Sequence, residues 1–248
     1  MHRSINIQNS LPYDIALKIA SSLQVFDVCS LGSCSRFWRE LCGSDCVWEG
    51  LCKDRWPLIF EDQTEPNDHK STPNSKRWRG LYVSKHNEMA GKVGSVADFI
   101  ERALAYESIE VGNYLKAVEL LNSHQTGFKD VQMFLLKPEL NVLLNLVGLH
   151  YCIVWLEIPA ENVIEALNSS EVSERQVCVQ WWKLGRWFYG FRLRDEFHLR
   201  NVSLGDLAVS KEDVFGVLHR GAVHEVIRVQ ISAAKSTHTS WSHQVAHV

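Results

Sequence analysis

The residues able to do chemistry in this chain are its cysteines, its histidines and one run in which arginines interleave with aromatics. Of seven cysteines, five (Cys29, Cys34, Cys42, Cys46, Cys52) crowd the opening segment and two (Cys152, Cys178) stand far downstream. Thiolates that hold a metal come as closely spaced pairs. No Cys-x-x-Cys occurs, and Cys42, Cys46 and Cys52 are spaced too loosely to make such a site. His219 and His224 stand five residues apart, off a common helical face, and His238, His243 and His247 follow no regular spacing. The phosphate, dinucleotide, nucleophile-elbow and zinc-protease motifs are all missing. No catalytic residue, metal or cofactor is therefore expected.

The arginine-aromatic run Trp181–Arg200 is different in kind. Lys183, Arg186, Arg192, Arg194 and Arg200 alternate loosely with Trp182, Trp187, Phe188, Tyr189 and Phe191. Stacking rings with interleaved cations can hold single-stranded nucleic acid, and a face rich in Trp, Tyr and Arg is equally suited to protein. A core hairpin with one solvated basic side is the third reading. Net charge is -3, which argues against attraction of the whole chain to nucleic acid or anionic membrane. A protein-binding face formed by Trp182, Arg186, Trp187, Tyr189, Arg192 and Arg194 is the functional expectation.

The elements that must carry these residues follow from periodicity and punctuation. The chain has 248 residues, 46% hydrophobic and 22% charged, enough for a small module and a moderate domain with an ordinary core. In Leu11–Leu51, Ile15, Ile19 and Leu23 recur every four residues beside Ala16 and Ala20, with Ser10 as a cap and Pro12 in the first turn. Val28 and Leu31 mark a second short helix after Asp27, and Phe37, Trp38 and Leu41 a third. Gly43 ends it, and Asp45 caps a further turn bearing Val47, Trp48 and Leu51. Residues 58–76 are polar, with Pro66 and Pro73, and read as a linker or surface loop.

Beyond it, helices are expected from Gly94 through Leu104, around Tyr114–Leu121, from Pro138 through Leu156, after Pro159, and through Val214, Leu218 and Val223. Leu140–Leu156 has no Asp, Glu, Lys or Arg but contains Asn141, Asn145 and His150. It is shorter than the ~20 residues of a spanning helix, so it reads as a buried core helix and no membrane is expected. Gln176–Arg194 reads as two strands joined around Lys183–Arg186, and Ile227–Ile231 as a last strand. The organisation expected is mainly α (α+β): residues 10–57 a three-helix module, 58–76 the linker, 77–234 a helix-rich domain with a small β hairpin or sheet, and 235–248 a loose tail. No repeat period appears. The start lacks an apolar signal segment, and unpaired thiols fit a cytoplasmic or nuclear protein.

Three helices near the length that is marginal alone cannot internalise so many apolar groups, so part of the set should await a partner. Here the residues carry a resemblance. Leu11, Pro12, Asp14, Ile15, Ile19 and Leu23, then Val28, Leu31, Cys34, Ser35, Arg36 and Trp38, then Asp45 and Trp48, resemble the F-box pattern over roughly a sixth of the chain. Ala20 departs from it where a bulkier Leu or Phe is common, as does Asp14 where Glu is usual. The resemblance implies docking on a Skp-type adaptor, and through it a cullin scaffold and a RING protein. The chain would then recruit a protein substrate to a ubiquitin ligase and perform no chemistry itself. It implies adaptor contacts among Leu11, Pro12, Ile15, Ile19, Leu23, Val28, Leu31, Trp38 and Trp48, with Phe37 and Leu41 in the core. A structural adaptor-binding subunit outside ubiquitination, or an enzyme within residues 77–234, are the competing readings.

Overall fold

The computed structural model describes residues 11–57, 78–209 and 214–234. The chain divides into two compact units, Met1–Gly91 and Lys92–Val248. The linker at 58–76, the tail at 235–248 and the capping role of Ser10 lie outside the described residues. Eleven helices and a small antiparallel sheet appear among those described, so the chain is mainly α with some β.

In the first unit, α1 (Tyr13–Ser21), α2 (Val25–Cys34), α3 (Arg36–Cys42) and α4 (Asp45–Arg55) follow with almost no loop between them. Their breaks are written in single residues. Ser35 is extended between α2 and α3, and its Oγ accepts a hydrogen bond from the Trp38 N–H at 3.3 Å, satisfying one orphan donor of the new helix. Gly43 closes α3 and extended Ser44 opens α4. The turn expected after Asp45 thus runs on as a full helix, giving four helices rather than three. Pro12 itself precedes α1 as its extended cap residue. A core of Ala16, Ala20, Val28, Leu41, Cys42, Val47, Trp48 and Cys52 is closed by Tyr82. Tyr82 comes from the first part of a 26-residue helix, α5 (Trp78–Ala103), which begins well before the start expected at Gly94.

The second unit is built on one helix. After β1 (Ser108–Glu110), α6 (Val111–Ser123) and α7 (Phe128–Phe134) comes α8 (Val142–Val154), in which every residue from Val142 to Cys152 is buried. Its start is set by Asn141, whose side chain accepts from the Leu143 N–H at 3.0 Å, rather than by Pro138. Two polar residues survive inside it because they are partnered. Asn145 Nδ2 donates to Leu135 O at 2.6 Å and Lys137 O at 3.1 Å, and its Oδ1 accepts from the Arg175 guanidinium. His150 Nδ1 lies 2.8 Å from Tyr114 Oη. Among the described residues no helix is long and apolar enough to cross a membrane.

Then follow α9 (Ala160–Ser169), β2 (Gln176–Lys183), β3 (Trp187–Phe188), β4 (Phe191–Arg192), β5 (Glu196–Ser203), α10 (Leu204–Val209), α11 (Val214–Arg220) and β6 (Val226–Ala233). Four strands form an antiparallel sheet in the order β1-β6-β2-β5, and β3 pairs with β4 as a separate ribbon. Val177, Val179 and Trp181 of β2, with Val229 and Ile231 of β6 and Ile109 of β1, turn one face into the core around α8.

Candidate functional site

Two exposed apolar surfaces stand out, one in each unit. The first lies on α1 and the start of α2. Ala16 and Ala20 are fully buried, and their small size lets α1 lie close on the core. Ala20 therefore faces the chain's own interior, and its size bears on internal packing rather than on contact with a partner. Beside that buried stripe runs an exposed one, Pro12, Ile15 and Ile19, spaced three and four residues apart along one edge of the helix. Ile15 is 49% and Ile19 41% exposed, and Phe26 of α2 is 67% exposed. Tyr13 is exposed as well.

The nine residues expected to meet the adaptor divide by depth. Pro12, Ile15 and Ile19 are exposed, while Leu11, Leu23, Leu31 and Trp38 are half-buried against the first unit's core. Val28 and Trp48 are buried and correct the expectation. Trp48 is a core residue with every handle satisfied internally. Its Nε1–H donates to Cys42 O at 2.8 Å, its ring meets Tyr82 edge-on at 5.4 Å, and the Arg79 guanidinium lies 5.5 Å from its centroid. Leu41 is core as expected, and Phe37 is half-buried with its ring edge-to-face on Trp38 at 5.3 Å. Tyr13 and Phe26 stand outside the nine residues expected at the adaptor. The available signal was that Phe26 lies off the Val25–Val28–Leu31 stripe of its own helix, so an aromatic there has no core to enter.

The second surface is the tip of the sheet. The two strands expected to join around Lys183–Arg186 are instead β2 and β5, with a miniature hairpin between them. Gly185 is not the turn. A Cβ there would collide with Leu193 O, so glycine is needed because another stretch of backbone crosses it. The reversal falls at Tyr189-Gly190, both with positive φ (46° and 82°), between the paired Phe188 and Phe191. That is the two-residue turn whose twist matches flanking strands. Gly185 N–H donates to Asp195 Oδ1 at 2.8 Å, and Arg192 reaches the same oxygen at 2.7 Å. These donors, the Gly185 amide first, hold the Asp195 carboxyl below its ordinary range.

This hairpin leaves Trp187 73% and Tyr189 88% exposed, with Phe188, Phe191, Leu193, Phe197 and Leu199 also open to solvent. Of the six residues expected there, Trp187, Tyr189 and Arg194 are exposed without an ion-pair partner among the described residues. Arg186 is paired with Glu225 at 2.7 Å and Arg192 with Asp195. Trp182 is half-buried on the outer face of the sheet, against Phe197 at 5.2 Å and beneath Arg228 at 5.3 Å. The alternation expected for Phe188–Arg194 as one strand is broken by the Tyr189-Gly190 turn. Strand β5, residues 196–203, was not anticipated, although its Phe197, Leu199 alternation was readable.

No group of three or more metal-binding side chains gathers among the described residues. All seven cysteines are free thiols, and burial raises those of Cys52 and Cys152 to about 11 and about 12, which keeps them protonated and unreactive.

Residues 8–54 match the family model described as F-box-like. That span covers α1, α2, α3 and all but the last residue of α4, so the chain carries an N-terminal F-box-like domain. No curated protein and no solved structure matches the chain.

Proposed function

We propose that this protein is the substrate-recognition subunit of a Skp-cullin-F-box ubiquitin ligase. The observation that carries the reading is the exposed row Pro12, Ile15 and Ile19 on α1, with Tyr13 and Phe26 exposed as well, on a domain that matches the F-box-like family. A folded module that buries Trp48 and Val28 yet leaves two isoleucines and a phenylalanine in water has a partner-shaped deficit. The Skp-type adaptor is the partner that the family match supports, and cullin and RING protein follow through it. The second unit, with its aromatic hairpin, would hold the target. The chain's contribution is proximity, and it performs no bond chemistry itself. A cytoplasmic or nuclear setting, where such ligases work, goes with this role.

The test is a tagged pull-down of wild type beside a Leu11→Ala/Pro12→Ala variant, probed for adaptor and cullin. Wild type should retain both and the variant should lose both. Wild type that retains neither overturns the reading. Adaptor without cullin would favour a structural role outside ubiquitination.

A further inference from the structure

Strand β5 is the open edge of the four-stranded sheet, and its free hydrogen-bonding groups can be assigned. The β2–β5 register pairs Gln176 with Ser203, and one step beyond it the Leu204 N–H donates to Arg175 O at 3.0 Å. In an antiparallel ladder bonded pairs alternate with unbonded ones. The β2–β5 bonds therefore fall at Val177–Val202, Val179–Arg200, Trp181–His198 and Lys183–Glu196. On the other side of β2, Ala234 N–H donates to Gln176 O at 3.1 Å and Leu184 N–H to Glu225 O at 2.7 Å, so the even-numbered residues of β2 serve β6, as the alternation requires. Phe197, Leu199 and Asn201 are left directing N–H and C=O outward from the sheet, with no partner among the described residues.

Folded proteins guard such an edge with proline, charged side chains, a bulge, a covering element or brevity. The opposite edge, β1, is three residues long. β5 is eight, EFHLRNVS, with no proline or bulge, and its charged side chains are Glu196 and Arg200. A row of unpaired backbone groups of this length is completed by one kind of occupant, another extended backbone. Side-chain chemistry narrows it further. Phe197 and Leu199, beside Trp182, offer an apolar strip on the outer face. On the other face, Glu196 engages His198 at 3.2 Å, leaving Arg200 exposed with no ion pair among the described residues. Of the neighbouring exposed guanidiniums, Arg186 is matched to Glu225, Arg192 to Asp195 and Arg228 to Glu110, while Arg194, beyond the end of β5, has like Arg200 no ion pair among the described residues.

We propose that β5 receives, as a fifth strand, an extended segment of the target protein whose apolar side chains alternate with polar ones and place an acid opposite Arg200. The proposal deepens the substrate-receptor reading and rests on it for the identity of the occupant as a target.

The experiment uses the full chain without adaptor, so that its outcome is separate from that of the pull-down. Fluorescein-labelled Ser-Val-Ser-Val-Glu-Val-Ser-Val is titrated by anisotropy, beside the same peptide with Lys for Glu and a version N-methylated at alternate amides. Wild type should bind the Glu peptide about fivefold more tightly than the Lys peptide, the scale of one exposed ion pair. N-methylation should abolish binding. Leu199→Pro should lose binding of both peptides, and its fold is preserved because that N–H is outside the β2 ladder; circular dichroism checks this. Arg200→Glu should reverse the preference. Undiminished binding of the N-methylated peptide, equal binding by Leu199→Pro, or no saturable binding by wild type each overturns the proposal. So does a wild-type dimer in sedimentation that Leu199→Pro disperses, which would give the edge to a second copy of the chain. Peptide binding together with a failed pull-down would refute the ligase reading while leaving β5 as a strand-accepting edge.

Discussion

Replacing Ile15 and Ile19 together by alanine separates docking from folding in the F-box-like domain. Full burial of an isoleucine side chain is worth about 1.5–3 kcal/mol. The exposed fractions, 49% and 41%, are what a partner could still cover. They correspond to about 0.7–1.5 and about 0.6–1.2 kcal/mol. If the adaptor covers both, the double variant should bind it about 10-fold to 100-fold more weakly. Isothermal titration against a recombinant Skp-type adaptor reads this directly. Trp48→Ala is the counterpart from the same apolar set. It removes a buried ring and strands Cys42 O, and should cost about 3–5 kcal/mol of stability, seen as a lowered melting temperature before any adaptor is added. The reasoning is refuted if the isoleucine pair changes affinity by less than about twofold, or if Trp48→Ala leaves melting unchanged.

The second unit should weaken in mild acid. Burial, then the neighbouring charge of His219 at 3.4 Å, pushes His150 from 6.5 down to about 3. The unfolded chain takes up a proton near pH 6.5 that the folded chain refuses, so this stability is intact above pH 6.5 and drains away toward pH 3. By pH 5 the loss should be about 2 kcal/mol, read as a falling urea midpoint that flattens in His150→Gln. Asn145→Leu preserves volume but removes the side-chain donor to Leu135 O, while Lys137 O keeps the Leu140 N–H and Arg175 keeps Leu140 O. It should destabilise by about 1–3 kcal/mol in urea titration, the cost of about one stranded group. Ser35→Ala should cost about 1 kcal/mol through loss of the α3 cap, lowering the first unit's melting with no direct effect on the exposed isoleucines.

What could be read from the residues was local. Pro12, Ser35, Gly43 and Asp45 mark helix ends through their own backbone and side-chain chemistry, and each stands at or beside an observed boundary. The charge-free run around α8 announces its burial by composition alone. Which side of an apolar stripe faces the core is another matter. Periodicity makes Ile15, Ala16, Ile19 and Ala20 one stripe, and only packing by α3 and α4 decides that the alanines go in and the isoleucines stay out. Trp48 belongs inside because Tyr82, 34 residues on, supplies its wall, and nothing near Trp48 in sequence points there. The sheet tip hides its turn for a similar reason. Gly185 looks like a turn and is a crossing point, whereas the true turn has Tyr189 where asparagine or aspartate would be the usual signal.

Backbone hydrogen exchange of the full chain, with and without a Skp-type adaptor, locates the docking face on the protein itself. Contact through Pro12, Ile15, Ile19 and Phe26 predicts slowed exchange in Tyr13–Ser21 and the first turn of Val25–Cys34, with Glu196–Ser203 unchanged. Protection confined to the sheet edge, or no protection in the first unit at saturating adaptor, would contradict it.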